Sequence, residues 1–210
     1  MDEPKLTLEQ KEQLKSIRLL STGTGISKRL MMAFSDFRGT IPQIEDSLYQ
    51  LSSVVDSTSK LHFPNENSSK KRFEDYLDQV ETDLWYFATN GKLTLIDSKF
   101  NDNNGESKKF SEILYKIRCS SFHDPEEVES MVLFEDGNRL GHTSDNKFII
   151  SLNLTIALFL ILLTDEKNIG RIDLNLFDDT HFIEFNDTKH LLNELIGKRD
   201  LVRESFKNMN

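Results

Sequence analysis

Residues 107–125 read Ser107-Lys-Lys-Phe-Ser-Glu-Ile-Leu-Tyr-Lys-Ile-Arg-Cys-Ser-Ser-Phe-His-Asp-Pro125, and this stretch decides the fold class. Apolar side chains recur with the i, i+3, i+4, i+7 spacing of an amphipathic helix, at Phe110, Ile113, Leu114 and Ile117. The Asp124-Pro125 pair ends this pattern, because the residue before a proline avoids helical backbone angles. We therefore predict a helix from about Ser107 to His123 whose apolar face packs into a helical core.

Helical patterns also lie on both sides of this stretch. They predict helices at about 6–18, 27–38, 42–55, 72–90, 153–165 and 188–206, of which the first reads as an exposed helix with few apolar residues. The segment from Asp56 to Lys71 is rich in Ser, Asn and Lys and contains Pro64, which is typical of a linker. This linker divides the chain into an N-terminal helical segment, residues 1–60, and a main helical domain, residues 70–210.

Two pairs of strands are predicted among the helices. Met131 to Phe134 and Lys147 to Ile150 are separated by Asp136-Gly137 and Gly141, which predicts a β-hairpin inserted at about 131–151. Residues 172–177 and 180–185 alternate between apolar and polar side chains and predict a short C-terminal β-ribbon. The predicted fold class is therefore mainly α: a helical bundle with an inserted β-hairpin and a short C-terminal β-ribbon.

The charge of the chain limits how it could bind nucleic acid. There are 35 acidic and 26 basic residues, which gives a net charge of −9 and excludes a protein that coats nucleic acid by bulk charge. The helix predicted at 107–123 is locally basic, with Glu112 as its one acid up to position 118. Its basic residues over that range are Lys108, Lys109, Lys116 and Arg118. An anionic ligand is therefore expected at this helix.

Several kinds of site are not supported by the sequence. Cys119 is the single cysteine, so neither an internal disulfide nor a metal site with paired cysteines can form. His142, His181 and His190 lack the spacing of paired metal ligands. The glycine-containing stretch 23–28 lacks the spacing of a phosphate-binding loop and is predicted to be a turn between helices. No metal and no cofactor are predicted.

Membrane insertion and secretion are weakly supported alternatives. The longest apolar run, Phe148 to Leu163, includes Ser151, Asn153 and Thr155 and is shorter than the roughly 20 residues that a bilayer requires. We predict a strand end followed by a buried helix; membrane association through this run would instead require detergent for solubility. The charged N-terminus has no apolar stretch of the kind found in secretory signals, so we expect a cytoplasmic protein.

The motif Arg118-x4-His123 lies at the end of the basic helix. With the preceding Leu114-Tyr-Lys-Ile and the following Asp-Pro, it resembles the R-x4-6-H motif of the HEPN superfamily over about residues 72–165. The resemblance implies a compact α-helical bundle and metal-independent cleavage of RNA, often in toxins and defence systems. It also implies that two motifs meet across a homodimer, and a toxin would have a cognate antitoxin or partner protein.

The chemistry of the motif suits such a reaction. RNA is cut without metal when a base takes the proton of the ribose 2′-hydroxyl and a cation stabilises the charge that develops on phosphorus. His123 is the candidate acid or base, since the unperturbed pKa of imidazole is ~6.5. Arg118 is the candidate phosphate stabiliser. Tyr115, Lys116 and Ser120 are the candidate substrate-binding residues.

The spacing of the motif restricts how Arg118 and His123 can meet. In an ideal helix Arg118 and His123 point roughly 140° apart, so they meet only if the last turn distorts or if each meets a partner on a second subunit. The alternative is a non-catalytic helical interaction or dimerisation module. In that case Arg118 forms an ion pair with a neighbouring acid and His123 caps the end of the helix.

Overall fold

The computed structural model describes residues 25–39, 42–92, 99–101, 106–120, 131–145, 147–185 and 188–207, and these form a mainly helical protein with three two-stranded sheets. The helices are α1 (25–38), α2 (Ile44–His62), α3 (Ser69–Ala88), α4 (Phe110–Ser120), α5 (Leu152–Leu163), α6 (Leu192–Leu195) and α7 (Arg199–Lys207). The strands are β1 (Lys99–Asn101), β2 (Ser107–Lys109), β3 (Val132–Glu135), β4 (Phe148–Ser151), β5 (Phe182–Phe185) and β6 (Thr188–Leu191). Single 3-10 turns lie at Glu166–Asn168 and Leu174–Leu176.

Helix α5 is the centre of the fold and packs against both α2 and α3. Its residues from Leu158 to Leu163 are each at most 1% exposed, so the apolar run forms the end of β4 and a buried helix, as predicted. Ser151 caps the helix, because its Oγ accepts a hydrogen bond of 3.3 Å from the backbone N–H of Leu154. None of the described helices has both the length and the hydropathy needed to cross a bilayer.

A single hydrophobic core extends across both of the parts predicted from the sequence. The rings of Phe34 and Phe37 in α1 lie 5.8 and 5.3 Å from the ring of Phe159 in α5. Helices α2 and α3 contact each other, and both contact α4 and α5 around the same core, while α7 adds Phe206 against Phe87 of α3. The predicted segments 1–60 and 70–210 therefore share one core wherever both are described.

The predicted linker is wrong over most of its length. Helix α2 continues to His62, and α3 begins at Ser69 with Ser68 as its cap. Part of the polar stretch lies in α2, where Asp56, Thr58 and Ser59 are buried. Thr58, for example, is fully buried and hydrogen-bonds to the side chain of Asn168. Such long-range partners are not visible in a local sequence pattern.

The inserted β-hairpin is also wrong, although both of its strands exist. Strands β3 and β4 pair in parallel, with Val132 opposite Phe148 and Glu135 opposite Ser151. A parallel pair requires a connection of about a dozen residues, and residues 136–147 supply it. The backbone N–H of Ile149 also bonds to the carbonyl of Gly141 within this connection, at 2.9 Å.

The C-terminal ribbon is present with a different partner strand. Strand β5 pairs antiparallel with β6, whereas part of the predicted first strand forms the 3-10 turn Leu174–Leu176. The predicted closing helix is accordingly split into β6, α6 and α7. The break between α6 and α7 includes Gly197, whose φ of 70° lies in the region that favours glycine.

Candidate functional site

Helix α4 carries the motif, and its position is fixed by α3. It begins at Phe110 rather than Ser107, because Ser107–Lys109 pair with β1 as strand β2. Ser111 Oγ donates a hydrogen bond of 2.8 Å to Asp78 of α3, and Lys109 Nζ lies 2.5 Å from the other oxygen of Asp78. The predicted apolar face is buried at Phe110, Ile113, Leu114 and Ile117. This part of the prediction is confirmed.

Arg118 lies on the last described turn of α4 and contacts α2. Its Nη2 is 3.2 Å from Oδ2 of Asp56, and the Arg118 side chain is 28% exposed. The guanidinium carbon also lies 5.9 Å from the ring centroid of Phe73 and 5.8 Å from that of Tyr115. Arg118 is therefore held between a carboxylate and two aromatic rings at the boundary of core and solvent.

Asp56 joins two cations at this place. Lys60 Nζ lies 2.7 Å from the same Oδ2 that Arg118 approaches, one helical turn away on α2. The other oxygen, Oδ1, is buried and accepts no hydrogen bond from any described residue. Two positive charges thus surround one negative charge, and the Lys60 side chain is 53% exposed.

Tyr115 lies beside Arg118, one turn earlier on α4. Its ring packs edge-on against Phe73 with centroids 5.4 Å apart, and its hydroxyl lies 3.4 Å from Ser69 Oγ. The side chain is only partly buried. The structure thus brings Tyr115 and Arg118 together on one face.

Of the remaining predicted site residues, Lys116 faces away from Arg118, and the side chains of Ser120 and His123 lie outside what the structure describes. Lys116 is exposed roughly 160° around the helix from Arg118, and its Nζ lies 3.8 Å from Met131 Sδ. Ser120 ends α4, and only its backbone is described. His123 lies outside the described residues. Cys119 is an exposed free thiol.

A second polar cluster, not predicted from the sequence, surrounds Asp165. This carboxylate is 2% exposed, and both of its oxygens lie 3.1 Å from Nε2 of His62 at the end of α2. The hydroxyl of Tyr76 donates to Asp165 at 2.9 Å, and Nη2 of Arg199 approaches at 3.5 Å. The cluster therefore ties α2, α3 and α7 to the end of α5.

A second carboxylate, Asp83, and a second guanidinium, Arg203, extend this cluster. Arg199 Nη1 also lies 3.8 Å from Asp83 of α3, and Arg203 donates to Asp83 from both Nε and Nη2, at 2.8 and 2.5 Å. Burial, together with the neighbouring carboxylate of Asp165, raises the pKa of Tyr76 well above its usual value, so this hydroxyl stays a proton donor. These contacts give the buried polar groups their hydrogen-bond partners. They account for the packing of the helices and do not indicate a reaction.

Sequence signals existed for one of these clusters only. Asp56 and Lys60 have the i, i+4 spacing of a helical ion pair, which would have been recognised had the segment been predicted as a helix. Asp165 has no local signal, because its partners His62, Tyr76 and Arg199 are far away in sequence. Buried networks of this kind appear only when the helices are packed.

A surface groove of about 380 Å³ lies between the start of α2 and β3. Its lining includes Glu45, Asp46 and Asp136, so it would repel a phosphate. Within the described parts of the chain, no group of three or more His, Cys, Asp or Glu side chains is arranged to hold a metal ion.

No protein-family model, no curated protein and no solved structure matches this chain.

Proposed function

We propose that this protein is a metal-independent endoribonuclease of HEPN type that cuts single-stranded RNA by attack of the ribose 2′-hydroxyl. The observation that carries the proposal is the position of Arg118, which Asp56 holds at the protein surface five residues before His123. The protein acts as a homodimer in which two motifs meet. The family resemblance further implies a cytoplasmic toxin or defence role and a cognate antitoxin or partner protein.

The charges around Arg118 support binding of a phosphodiester. The Arg118 guanidinium and the Lys60 ammonium both contact the Asp56 carboxylate and so lie side by side. A phosphate that reaches this place would meet both cations. A guanidinium that is already oriented needs little reorganisation to stabilise the pentacoordinate transition state.

The remaining steps fall to His123 and Tyr115. His123 takes the proton of the 2′-hydroxyl or returns a proton to the leaving 5′-oxygen, which a group with a pKa near 7 does well. Tyr115, beside Arg118, offers a partly buried ring that an unpaired base can approach. Ser120 is proposed to contact the substrate from the end of the same helix, whereas Lys116, predicted for the same site, faces away from Arg118.

The test is cleavage of a synthetic single-stranded RNA in EDTA. We expect the wild-type protein to cut it and to leave 2′,3′-cyclic phosphate ends, and we expect H123A and R118A to be slower by at least ~100-fold. His190→Ala, a histidine on β6, is the matched control and should keep full activity. The same sequence made of DNA should stay intact, because it lacks the attacking hydroxyl.

Three results would overturn the proposal. One is that the wild-type protein cuts no RNA in a panel of single-stranded sequences. Another is that EDTA abolishes cleavage, which would indicate a metal-dependent contaminant or mechanism. The third is that H123A cuts as fast as the wild type.

The second candidate function is a non-catalytic helical interaction module, and the contacts of Arg118 favour it as well. Its packing on Phe73 and its ion pair with Asp56 tie α4 to α3 and α2, as a purely structural residue would. In that case H123A should lower the melting temperature by several degrees, together with R118A. Removal of a catalytic histidine should instead cost little stability or even raise it.

A further inference from the structure

Strand β3 has one edge that no described residue covers. Its partner β4 lies along the other edge, and the backbone N–H of Ile149 in β4 bonds to Gly141 on the far side of β4. Neighbouring residues of a strand direct their backbone groups to opposite edges, so Phe148 and Ile150 face β3. The direction of the backbone groups in β3 follows from this.

The unpaired groups of β3 belong to alternate residues. Because Phe134 lies opposite Ile150 in the parallel register, Leu133 and Glu135 bond to β4. The backbone N–H and C=O groups of Val132 and Phe134 therefore point away from β4, and no described residue bonds to them. An open edge of this kind is a template for a further strand.

The outer face of β3 is apolar next to this edge. Val132 is 3% exposed and faces the core, whereas Leu133 on the outer face is 38% exposed. Glu135 lies on the same face as Leu133, but it forms an ion pair of 3.1 Å with Arg139. A strand added at the open edge would therefore place an apolar side chain beside Leu133.

On the core side, the open edge borders the acidic groove at the start of α2. Phe134 and Asp136 line the groove from β3 and the bend that follows it, and Glu45 and Asp46 line it from α2. No described lysine, arginine or histidine contributes to the lining. Side chains that an added strand directs toward this face would thus enter a groove lined by three carboxylates.

Carboxylates repel one another beside this groove. The pKa of the Asp36 carboxyl, near the end of α1, is raised by burial and by the negative charge of Asp46. The N-terminus of α2 offsets part of the charge of Glu45 and Asp46. A cationic side chain in the groove would relieve the remaining repulsion, whereas a phosphate or an acidic chain would increase it.

We propose that the open edge of β3 binds an extended basic peptide of another protein as a third strand. The peptide backbone bonds to Val132 and Phe134, and its apolar side chains lie beside Leu133. Its lysine or arginine side chains, which alternate with the apolar ones, enter the groove. This mode of recognition is β-strand addition, in which alternate side chains give specificity. A second copy of this chain fits less well, because it would bring the same carboxylates to the edge.

A synthetic peptide tests the proposal. The probe is a short capped peptide of alternating lysine and valine that carries fluorescein, and fluorescence anisotropy measures its binding. We expect saturable binding, and no binding when glutamate replaces lysine. At saturation the amides of Val132 and Phe134 should exchange with solvent at least ~10-fold more slowly, and those in the middle of α3 should not change. Failure of the lysine peptide to bind, or binding without this protection, would overturn the proposal.

Methylation of the probe separates strand addition from attraction between charges. In an extended peptide the N–H groups of the lysines face one edge and those of the valines face the other, so methylation of either set blocks one edge only. The two methylated peptides keep the same side chains and charge, and neither change can unfold the protein. We expect one of them to bind at least ~10-fold more weakly than the other. Equal affinities would overturn the proposal.

Substitutions in the groove test where the basic side chains lie. Asp46→Asn combined with Asp136→Asn should weaken binding of the probe by at least ~10-fold, because two carboxylates of the lining are lost. Asp179→Asn combined with Glu204→Gln removes the same charge from exposed acids on other elements, and this matched control should keep the affinity within ~2-fold. Equal effects of the two double variants would contradict binding in the groove.

Hydrogen exchange without peptide identifies the other possible occupant. Protection of the Val132 and Phe134 amides that rises with protein concentration would mean that a second copy of this chain covers the edge, and would overturn the proposal. Rapid exchange of both amides at every protein concentration is the result expected for an edge that waits for a peptide.

Discussion

Arg118 of α4 and Asp56 of α2 form an ion pair of 3.2 Å in which the acid is the more deeply buried partner. The carboxylate therefore orients the guanidinium, rather than the reverse, and it also holds Lys60. In the proposed nuclease Asp56 is a positioning residue, because it acts on the substrate only through Arg118.

Substitution of Asp56 by asparagine should separate the orientation of Arg118 from the binding of RNA. D56N removes a negative charge between two cations, so RNA binding at low salt should be unchanged or tighter, while cleavage should slow by at least ~10-fold because Arg118 loses its orientation. Fluorescence anisotropy measures binding and single-turnover cleavage measures the rate. Asp75→Asn, on the exposed side of α3, is the control and should change neither. A parallel loss of binding and cleavage in D56N would contradict this role.

Asp165 should be among the most sensitive positions for stability. Asparagine at this site would leave Arg199 and the hydroxyl of Tyr76 without their buried anion, and loss of one partner of a buried pair costs about 3–5 kcal/mol. Urea unfolding followed by circular dichroism gives the free energy of unfolding. Asp179→Asn, at an exposed acid, should change it by less than ~0.5 kcal/mol. A small effect of D165N would mean that the network does not hold the helices together.

The break between α6 and α7 requires glycine. Gly197 has a φ of 70°, and a Cβ there would press against the Ile169 side chain, so Gly197→Ala should destabilise the protein by about 1–3 kcal/mol. Gly137→Ala is the matched control, because nothing lies within 4 Å of a Cβ at that position. Thermal unfolding compares the two variants, and equal melting temperatures would rule out strain at Gly197.

His142 should make the protein less stable in mild acid. Burial lowers the pKa of this imidazole below its ordinary value, so the unfolded chain takes up the proton more readily than the folded protein does. The resulting stability is present above the unfolded pKa of ~6.5 and is lost as the pH falls through the folded pKa. His142→Gln should therefore reduce the dependence of the melting temperature on pH between about 7 and 5. A proton NMR titration of His142 with a midpoint at or above 6.5 would contradict this.

The sequence predicts the helices of this fold better than the connections between them. Helix α5 follows from its continuous apolar run, and the apolar face of α4 follows from periodicity. The end of α3 near Asn90 and Gly91 follows from their turn preference, which their positive φ values confirm. The second half of α2 is harder to predict because its sequence is polar. The partners of its buried residues Asp56 and Thr58 lie far away in the chain, on α4 and in the turn after α5.

Strand pairing and the site show the same limit. Local patterns identified β3 and β4 but not their relative direction, since alternation does not specify which way a partner strand runs. At the site, the sequence predicts Arg118 and Tyr115, which the structure brings together. It predicts no role for Asp56 or Lys60, because both fall in the predicted linker. The role of His123 stays a prediction.

The parallel pairing of β3 and β4 has a consequence for the order of folding. Antiparallel strands close progressively from the turn that joins them, whereas this pair has no such starting point and must wait for residues 136–147 to cross over. Strand β4 runs directly into α5, so we expect the pair to assemble after α5 has packed against α2 and α3. Pulse-labelling hydrogen exchange should then find the amides that bond between β3 and β4 protected later than those in the middle of α3, and simultaneous protection would exclude this order of events.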